Sequence, residues 1–313
     1  MDLGRHVWSL VFINMIIPYD FYYSDSNDNK NLDKVYHNGQ MRIWDGKEVL
    51  TDLFAKYENT EIDADKKESL TNILSVILWG EYIAWNVASE MSAQFEQYGA
   101  KMAAVSQAHD EARHFYVIRD YLRRRLNYTP SAIFAPVLFV LEEVSKANSL
   151  AKKLLGMQLM VEPIAITIFR FIRKSNVDPI LTELLEYFEK DEARHIALGV
   201  KYLPNLIKEM GMLELCLFLW WQIKLINAEI KGLKAIEEDL IVLGLSPLEV
   251  FNFAEAKQFQ CLKEISREMK IDEKLWVPVM KIVQFRKKMA FYPHANHNLF
   301  KKIINSIFEI IQD

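Results

Sequence analysis

The sequence predicts an all-α fold in which a four-helix bundle core is followed by additional C-terminal helices. Apolar residues recur at helical spacing over long segments from about residue 66 onward. Only 10 glycines and 9 prolines interrupt the 313 residues, of which 51% are hydrophobic, and this composition favours helices over many short strands. A repeated set of charged residues, described below, lies within the first four helical segments.

Helix positions follow from the apolar spacing and from the turn residues between the segments. The four core helices are predicted at about 67–97, 100–126, 131–174 with a break, and 179–209. The later helices, separated by glycine or proline, are predicted at about 212–243, 247–269, 273–290 and 297–311.

These segments predict three parts of the chain. Residues 1–65 form an N-terminal arm that packs on the bundle, and its stretch 19–46, rich in Asp, Asn and Tyr, is expected to be irregular. Residues 66–211 form the core, and 212–313 supply accessory helices of the same domain.

Charge and cysteine content narrow the possible functions. A formal net charge of −4 and a pI near 6.0 give no general attraction to phosphate backbones, so nucleic acid is not an expected partner. Cys216 and Cys261 lie 45 residues apart without the spacing of a zinc site. We predict that both are buried free thiols and that the protein is cytoplasmic.

Neither of two apolar runs predicts a transmembrane segment. Val7–Ile17 leads into Pro18 rather than a small-residue cleavage site, which makes a signal peptide the lesser alternative. Leu213–Ile223 contains Glu214 and is well short of the ~20 residues that a membrane span requires.

A constant offset of 81 residues relates two sets of metal-ligating residue types. The string Asp-Glu-Ala-Arg-His occupies 110–114 and recurs at 191–195, and a single glutamate precedes each copy at the same distance. The period is too long for common solenoid repeats, and a duplicated helical hairpin fits better. The repeated residues are Glu81, Glu111 and His114, followed by Glu162, Glu192 and His195.

Helical geometry predicts that these side chains converge. Residues three apart share a helix face, so the glutamate and histidine of each Glu-x-x-His motif point the same way. The midpoint between Glu81 and Glu111 is residue 96, beside the turn candidate Gly99, and the midpoint of the second pair, 177, lies within the turn signal 175–179. Each hairpin therefore holds its two glutamates at one level, and two packed hairpins bring together four carboxylates and two imidazoles.

Four buried carboxylates require compensating charge, which two divalent cations would supply. The two imidazoles favour a transition metal such as iron or manganese over calcium or magnesium. Metal-bound histidines usually donate their other ring proton to a carboxylate, and we expect Asp110 and Asp191 each to reach the histidine of the opposite motif. Arg113 and Arg194 are expected to anchor those aspartates in bidentate pairs.

Two further residues are candidates for a pocket. Trp85 and Ile166 each lie one turn beyond a lone ligand glutamate, where they would line an apolar oxygen or substrate pocket, although ordinary core packing explains them equally well.

The motif set over about 66–209 resembles the ferritin-like di-iron carboxylate superfamily, whose bundles combine a Glu from each of two helices with Glu-x-x-His from each of the other two. The paired Asp-Glu-Ala-Arg-His strings look most like its oxygenase and oxidase branch. The resemblance implies that the six residues are catalytic ligands of two iron ions per chain. Ile166 and Ile118 replace a threonine of related monooxygenases and a radical-forming tyrosine of ribonucleotide reductase subunits, which disfavours those two chemistries.

The leading functional hypothesis is an O2-dependent non-haem di-iron oxidase or oxygenase acting on a small or medium organic substrate. An external electron donor, such as a ferredoxin or a reductase, is expected because no flavin, haem or nicotinamide motif is present in the sequence. A homodimer is expected by resemblance only. The alternatives are a ferroxidase or iron-handling protein, a manganese or mixed Mn/Fe oxidase or catalase, and a metal-free scaffold that keeps these residues as buried salt bridges.

Overall fold

The computed structural model describes residues 27–129 and 135–291, and every regular element within these ranges is helical. The predicted all-α class is therefore confirmed. The helix predicted at 297–311 and the apolar run Val7–Ile17 lie outside the described residues.

The elements follow one another with short connections. In chain order they are α1 (Asn27–Gln40), α2 (Gly46–Lys56), α3 (Ala64–Gln94), α4 (Tyr98–Arg125), α5 (Ala135–Ser145), α6 (Leu150–Gly156), a π-helical turn (Met157–Val161), α7 (Glu162–Ser175), α8 (Pro179–Glu209), α9 (Met212–Ala235), α10 (Glu237–Val242), α11 (Pro247–Met269), a 3-10 turn (Glu273–Trp276) and α12 (Val277–Phe291).

Two antiparallel hairpins form the core of the bundle. Helices α3 and α4 pack together along their length, as do α7 and α8, and α4 also packs against α8. The loops fall where the glutamate spacing predicts them, at 95–97 and 176–178. In the second loop Asn176 takes a left-handed φ of 48° and ends α7, while the Asp178 side chain caps α8 ahead of Pro179 at its first position.

The break predicted within 131–174 consists of a gap between two helices and a π-helical turn. Helices α5 and α6 are separate, and the five-residue π-helical turn Met157–Val161 joins α6 to α7. The N–H of Glu162 reaches the carbonyl of Met157, five residues earlier, and the next residue, Pro163, has no N–H to donate. The ligand candidate Glu162 therefore lies immediately after an irregular turn.

One described helical run, the 26 residues Leu150–Ser175, is long and apolar enough to cross a membrane. Its most apolar window is 78% buried within the fold. Such burial is that of a core helix in a bundle, where apolar residues face neighbouring helices on most sides.

The N-terminal arm differs from the prediction. Part of the stretch expected to be irregular, 19–46, is the helix α1, which packs against α4 and α8. Leu32 of α1 is fully buried, and a Cβ on Gly99 of α4 would lie 2.8 Å from the Cβ of Leu32. Close packing against Gly99 thus outweighs the turn preference of the Asp and Asn residues.

The accessory helices cover the second hairpin and the α5 segment. Helix α11 packs on α7 and α8, whereas α9 packs on α5 and α12. The helix predicted at 212–243 is two helices, α9 and α10, and the division of the chain into three parts stays a prediction. Cys261 is buried as expected, but Cys216 is exposed, which corrects the prediction for that thiol; both are free.

Two apolar clusters lie at opposite ends of the core helices, and charged residues separate them. On α3 the buried apolar residues up to Leu78 belong to one cluster and those from Ala84 onward to the other, with Glu81 between. The same change of cluster occurs on α4 and α8 around the two repeated motifs. The bundle therefore holds a polar layer between two apolar ones.

We predict that Asp178→Ala lowers the free energy of unfolding by about 3 kcal/mol, because it leaves a buried ion pair and a helix start without their acceptor. Asp178 is fully buried, accepts from the Tyr121 hydroxyl at 2.5 Å and pairs with Arg125 at 3.1 Å. Urea denaturation measures the change.

The matched control is Glu186→Gln, in the helix that Asp178 caps. Glu186 pairs with Lys190 at 2.9 Å, but the two side chains are 49% and 55% exposed, so the expected loss is under about 0.5 kcal/mol. Equal losses in the two variants would contradict a structural role for the buried pair.

Candidate metal centre

The polar layer contains all six sequence-predicted ligand candidates, and each is buried. Four helices supply them at one level of the bundle, which is the arrangement that the equal hairpin arms predict. They are Glu81 on α3, Glu111 and His114 on α4, Glu162 at the start of α7, and Glu192 and His195 on α8.

The ligand atoms form two adjacent groups that have two residues in common. Within each group the atoms lie within 4.8 Å of one another. One group adds Glu81 and His114, the other adds Glu162 and His195, and both include Glu111 and Glu192. Two ions held by these groups would therefore have Glu111 and Glu192 as common ligands.

The ring of His114 is held between ligand carboxylates and an outer aspartate. Its Nδ1 atom lies 3.2 Å from Glu192 Oε1 and 3.3 Å from Glu81 Oε2. Its Nε2 atom lies 3.1 Å from Asp191 Oδ2. With Asp191 accepting the Nε2 proton, Nδ1 is free to bind a metal ion.

His195 repeats this arrangement in the other half. Its Nδ1 atom lies 2.8 Å from Glu192 Oε2 and 3.0 Å from Glu111 Oε1, and its Nε2 atom lies 3.4 Å from Asp110 Oδ2. Each aspartate therefore contacts the histidine of the opposite motif, as its position next to a ligand glutamate predicts.

The arginines link the two halves in a way that differs from the prediction. Instead of forming one bidentate pair each, Arg113 and Arg194 both contact both aspartates. Arg113 Nη2 donates to Asp110 at 2.6 Å and to Asp191 at 2.9 Å. Arg194 donates to Asp110 at 3.0 Å and also to Asp191. The four charges form a closed, buried network over the two histidines.

Trp44 is part of this network and was missed by the sequence analysis. Its indole N–H donates to Asp191 Oδ2 at 2.9 Å, and its ring lies 4.6 Å from the Arg113 guanidinium. Trp44 precedes α2 in the N-terminal arm, outside the repeat, so no spacing or motif singles it out.

Two buried glutamines, also missed, contact the ligand carboxylates from another side. Gln107 Nε2 donates to Glu111 Oε1 at 3.0 Å and to Glu162 Oε1 at 2.9 Å. Gln158, in the π-helical turn, donates to Gln107 Oε1 at 3.0 Å. Gln107 is one helical turn before Glu111 on the same face, and that spacing is a signal that identifies it.

The pKa values of the ligand carboxylates are shifted in different directions, because the positively charged groups of the protein do not stabilise all of them equally. Burial raises the pKa of Glu81 well above its usual value despite the hydrogen bond with His114. Burial, together with repulsion from Glu192 and Glu111, raises the pKa of Glu162 likewise. Burial also acts to raise the pKa of Glu111, but the two histidines hold it well below its usual value.

These residues fit two divalent transition-metal ions. The set offers carboxylate oxygens and two Nδ1 atoms, and the buried atoms Glu111 Oε2 and Glu192 Oε1 have no hydrogen bond. Each of these two atoms belongs to a residue that both groups share. Cations at the two positions would satisfy the atoms and compensate the charge that burial makes costly.

A cavity of about 140 Å³ adjoins the ligand set. Glu81 and Glu162 lie in its wall, which is otherwise mostly apolar and is contributed by α3, α5, α7, α9 and α11. Ala84 and Ala165, each three residues after a lone glutamate, line the cavity. Their small side chains leave space beside the two glutamates.

The two residues predicted to line such a pocket are not part of its wall. Trp85 is 38% exposed and packs near Phe115 on the outside of the first hairpin, and Ile166 is buried elsewhere. Lining residues occur three positions after each lone glutamate rather than four, because the third and fourth positions lie on opposite sides of the glutamate around the helix and the cavity is on the side of the third. The neighbouring Thr167 hydroxyl donates to the Pro163 carbonyl at 2.6 Å.

The cavity wall also contains polar residues that no sequence motif indicates. Glu229 on α9 and Glu255 and Gln258 on α11 are among them. Burial raises the pKa of Glu229 to about 8, and only a hydrogen bond from Gln258 acts in the opposite direction. With no cation beside it among the described residues, Glu229 therefore holds a proton near neutral pH.

Comparisons with known proteins add information on the fold. No protein-family model matches the chain, and neither does any curated protein. A solved Synechococcus protein with aldehyde deformylating oxidase activity aligns with a TM-score of 0.57 and 14% identity, over 69% of this chain and 98% of that one. This likeness shows that the chain has the fold of the ferritin-like helical bundles, as the motif set predicts.

Other solved structures align less well. Two mutants of R2-like ligand-binding oxidase with aerobically reconstituted Mn/Fe cofactor give TM-scores of 0.46 and 0.47. Their identities are 16% and 14%, and the alignments cover 84% of this chain and 94% and 93% of theirs.

We predict that Asp191→Asn weakens metal binding about 10-fold to 100-fold, because the amide no longer compensates the proton on His114 Nε2. Anaerobic equilibrium dialysis against Mn²⁺ or Fe²⁺, with elemental analysis, measures the affinity. The control is Asp52→Asn, an exposed position on α2, for which no change is expected. Equal affinities in both variants would show that the aspartate does not support the site.

We predict that Glu229→Gln stabilises the protein increasingly as the pH rises from 5 to 8. The folded carboxyl has a pKa of about 8 against a usual 4.5, so the folded state keeps a proton that the unfolded state releases over this window. Wild-type stability then falls with pH by at most about 1.4 kcal/mol per unit, and the variant lacks this loss.

Melting temperatures over a pH series test this expectation. Glu214→Gln, at an exposed position on the same helix α9, is the control, and its difference from wild type should not vary with pH. A difference for Glu229→Gln that is constant from pH 5 to 8 would refute the raised pKa.

Proposed function

We propose that the protein is an O2-dependent non-haem di-iron oxidase or oxygenase acting on a small or medium organic substrate. One observation carries the proposal: two groups of ligand atoms with two glutamates in common adjoin an apolar cavity, and Glu81 and Glu162 belong to both the ligand set and the cavity wall. A substrate in that cavity would lie beside the metal ions without displacing either shared glutamate.

Each ligand candidate has a role in this proposal. Glu81 and His114 would hold one ion, Glu162 and His195 the other, and Glu111 and Glu192 would bridge them. Ferrous ions held by these residues would supply electrons for the reduction of dioxygen.

The surrounding residues orient the ligands and exclude water. Asp191 accepts the Nε2 proton of His114, which directs Nδ1 toward the carboxylates. Gln107 donates to one oxygen of Glu162 and so orients that carboxylate. The apolar cavity wall keeps water away from the ligands on the side where an organic substrate would bind.

The alternatives make different demands on the site. The ligand types do not choose strongly between iron and manganese, so a manganese or mixed Mn/Fe oxidase is the second candidate. A ferroxidase would bring iron rather than an organic molecule to the ligands, and the mostly apolar wall beside Glu81 and Glu162 favours the organic substrate. An external ferredoxin or reductase would regenerate the reduced ions; this donor, a homodimer and a cytoplasmic location stay predictions.

The test begins with protein reconstituted with Fe²⁺ without oxygen. We expect about two irons per chain, a transient absorbing species after one pulse of oxygen, and oxygen uptake at a rate that an electron donor raises. Glu192→Ala, which removes a residue common to both ligand groups, should lower iron content to under about half and abolish the transient.

Glu186→Gln, on the same helix but exposed, is the matched control and should keep both properties. Absence of bound metal after reconstitution would overturn the proposal. Full activity with manganese alone would favour the second candidate.

A further inference from the structure

The cavity wall has a polar part that the proposed metal chemistry does not use. Glu229 on α9 and Glu255 on α11 line the same cavity, and each has a buried Oε1 atom without a hydrogen-bond partner. Two carboxyl oxygens thus lie without a hydrogen-bond partner in an otherwise mostly apolar wall. Unsatisfied buried acceptors are costly, and they are rare unless something outside the chain satisfies them.

The other oxygen of each glutamate does have a partner. Glu255 Oε2 pairs with Lys287 Nζ at 2.5 Å, so a cation already balances that carboxylate. Glu229 Oε2 accepts only the neutral amide of Gln258 at 3.1 Å. Among the residues that the structure describes, no lysine, arginine or histidine forms an ion pair with Glu229.

Gln258 is itself fixed by the fold. Its amide nitrogen donates to the Met160 carbonyl in the π-helical turn at 3.2 Å as well as to Glu229. The donor that serves Glu229 is therefore anchored to the backbone close to Glu162. Glu229 is held in place at the cavity wall, and its second oxygen has no hydrogen-bond partner.

A ligand that binds in this cavity has to match its lining residues in three properties. It must donate hydrogen bonds, because ionised Glu229 and Glu255 offer only acceptors, and it should carry positive charge, because a cation beside Glu229 would stabilise the ionised form in this buried position. Burial raises the pKa of Glu229 to about 8, and no neighbouring cation among the described residues lowers it. The remainder of the molecule must be apolar to match the rest of the lining.

We propose that Glu229, with Glu255 beside the same cavity, binds the ammonium group of a small organic amine whose apolar part fills the remaining space. An ammonium group has three donors and the required charge, whereas an aldehyde has no donor and a carboxylate adds like charge. The statement that the amine is a substrate rests on the proposed function. The statement that the amine binds is independent of it.

The cavity limits the size of the amine. Its volume of about 140 Å³ is close to the ~150 Å³ of an apolar cavity that holds benzene. Amines of about six to eight non-hydrogen atoms therefore suit the space. Hexylamine, hexan-1-ol and hexanoate form a set of probes that share a six-carbon skeleton and carry different head groups.

The experiment measures binding of the three probes to metal-loaded protein by anaerobic calorimetry. Hexylamine should bind at least about tenfold more tightly than hexan-1-ol, and hexanoate should bind most weakly. Glu229→Gln should weaken hexylamine binding about tenfold and change hexan-1-ol binding less than about twofold. The exposed control on α9, Glu214→Gln, should bind all three probes as the wild type does.

Several outcomes would overturn the proposal. Equal binding of the amine and the alcohol by wild-type protein is sufficient by itself and needs no variant. Unchanged amine binding in Glu229→Gln would show that the amine contacts the metal ions or another site instead. Tighter binding of hexanoate would show that the wall recognises an acceptor.

Oxygen uptake measured on the same samples separates this proposal from the proposed function. Normal iron content and oxygen uptake without an amine preference would refute the amine site and leave the oxidase proposal standing. An amine preference that depends on Glu229, in protein that consumes no oxygen, would support the amine site and refute the oxidase proposal.

Discussion

Burial of four carboxylates at one level of the bundle is the constraint on which the rest of the structure depends. Glu81, Glu111, Glu162 and Glu192 lie in a polar layer with apolar clusters on both sides, so neither water nor the protein's own cations balance them fully. The loops, the equal hairpin arms and the network of aspartates and arginines keep the layer in register. The apolar layers supply the burial energy, and the polar layer determines which helices must face one another.

Much of this arrangement is encoded at short range and can be predicted from the sequence. The constant offset between the two motifs, together with the turn signals midway between paired glutamates, identifies the helices, the loops and the six residues that meet. The contact of each aspartate with the opposite histidine follows from its position beside a ligand glutamate. These features depend on helical periodicity, which one sequence displays directly.

Features that depend on packing between distant segments could not be predicted. Trp44 contacts Asp191 across 147 residues of sequence, and Glu229 lines the cavity only because the accessory helices cover it. Helix α1 forms because Leu32 finds space beside Gly99, in spite of its turn-forming composition. Trp85 and Ile166 do not line the cavity that adjoins the ligand set, because a difference of one position rotates a side chain by about 100° around the helix.

The π-helical turn makes the backbone different in the two halves of the site. Glu81 belongs to an unbroken α-helix, whereas Glu162 follows Met157–Val161, where the hydrogen-bond ladder widens. The same turn carries Gln158 and accepts Gln258 at Met160, which connects it to Glu162 through Gln107 and to Glu229 on the cavity wall. The two repeats thus hold similar candidate ligands in different surroundings: Glu81 within a continuous helix, and Glu162 beside a turn whose hydrogen bonds lead to the cavity wall.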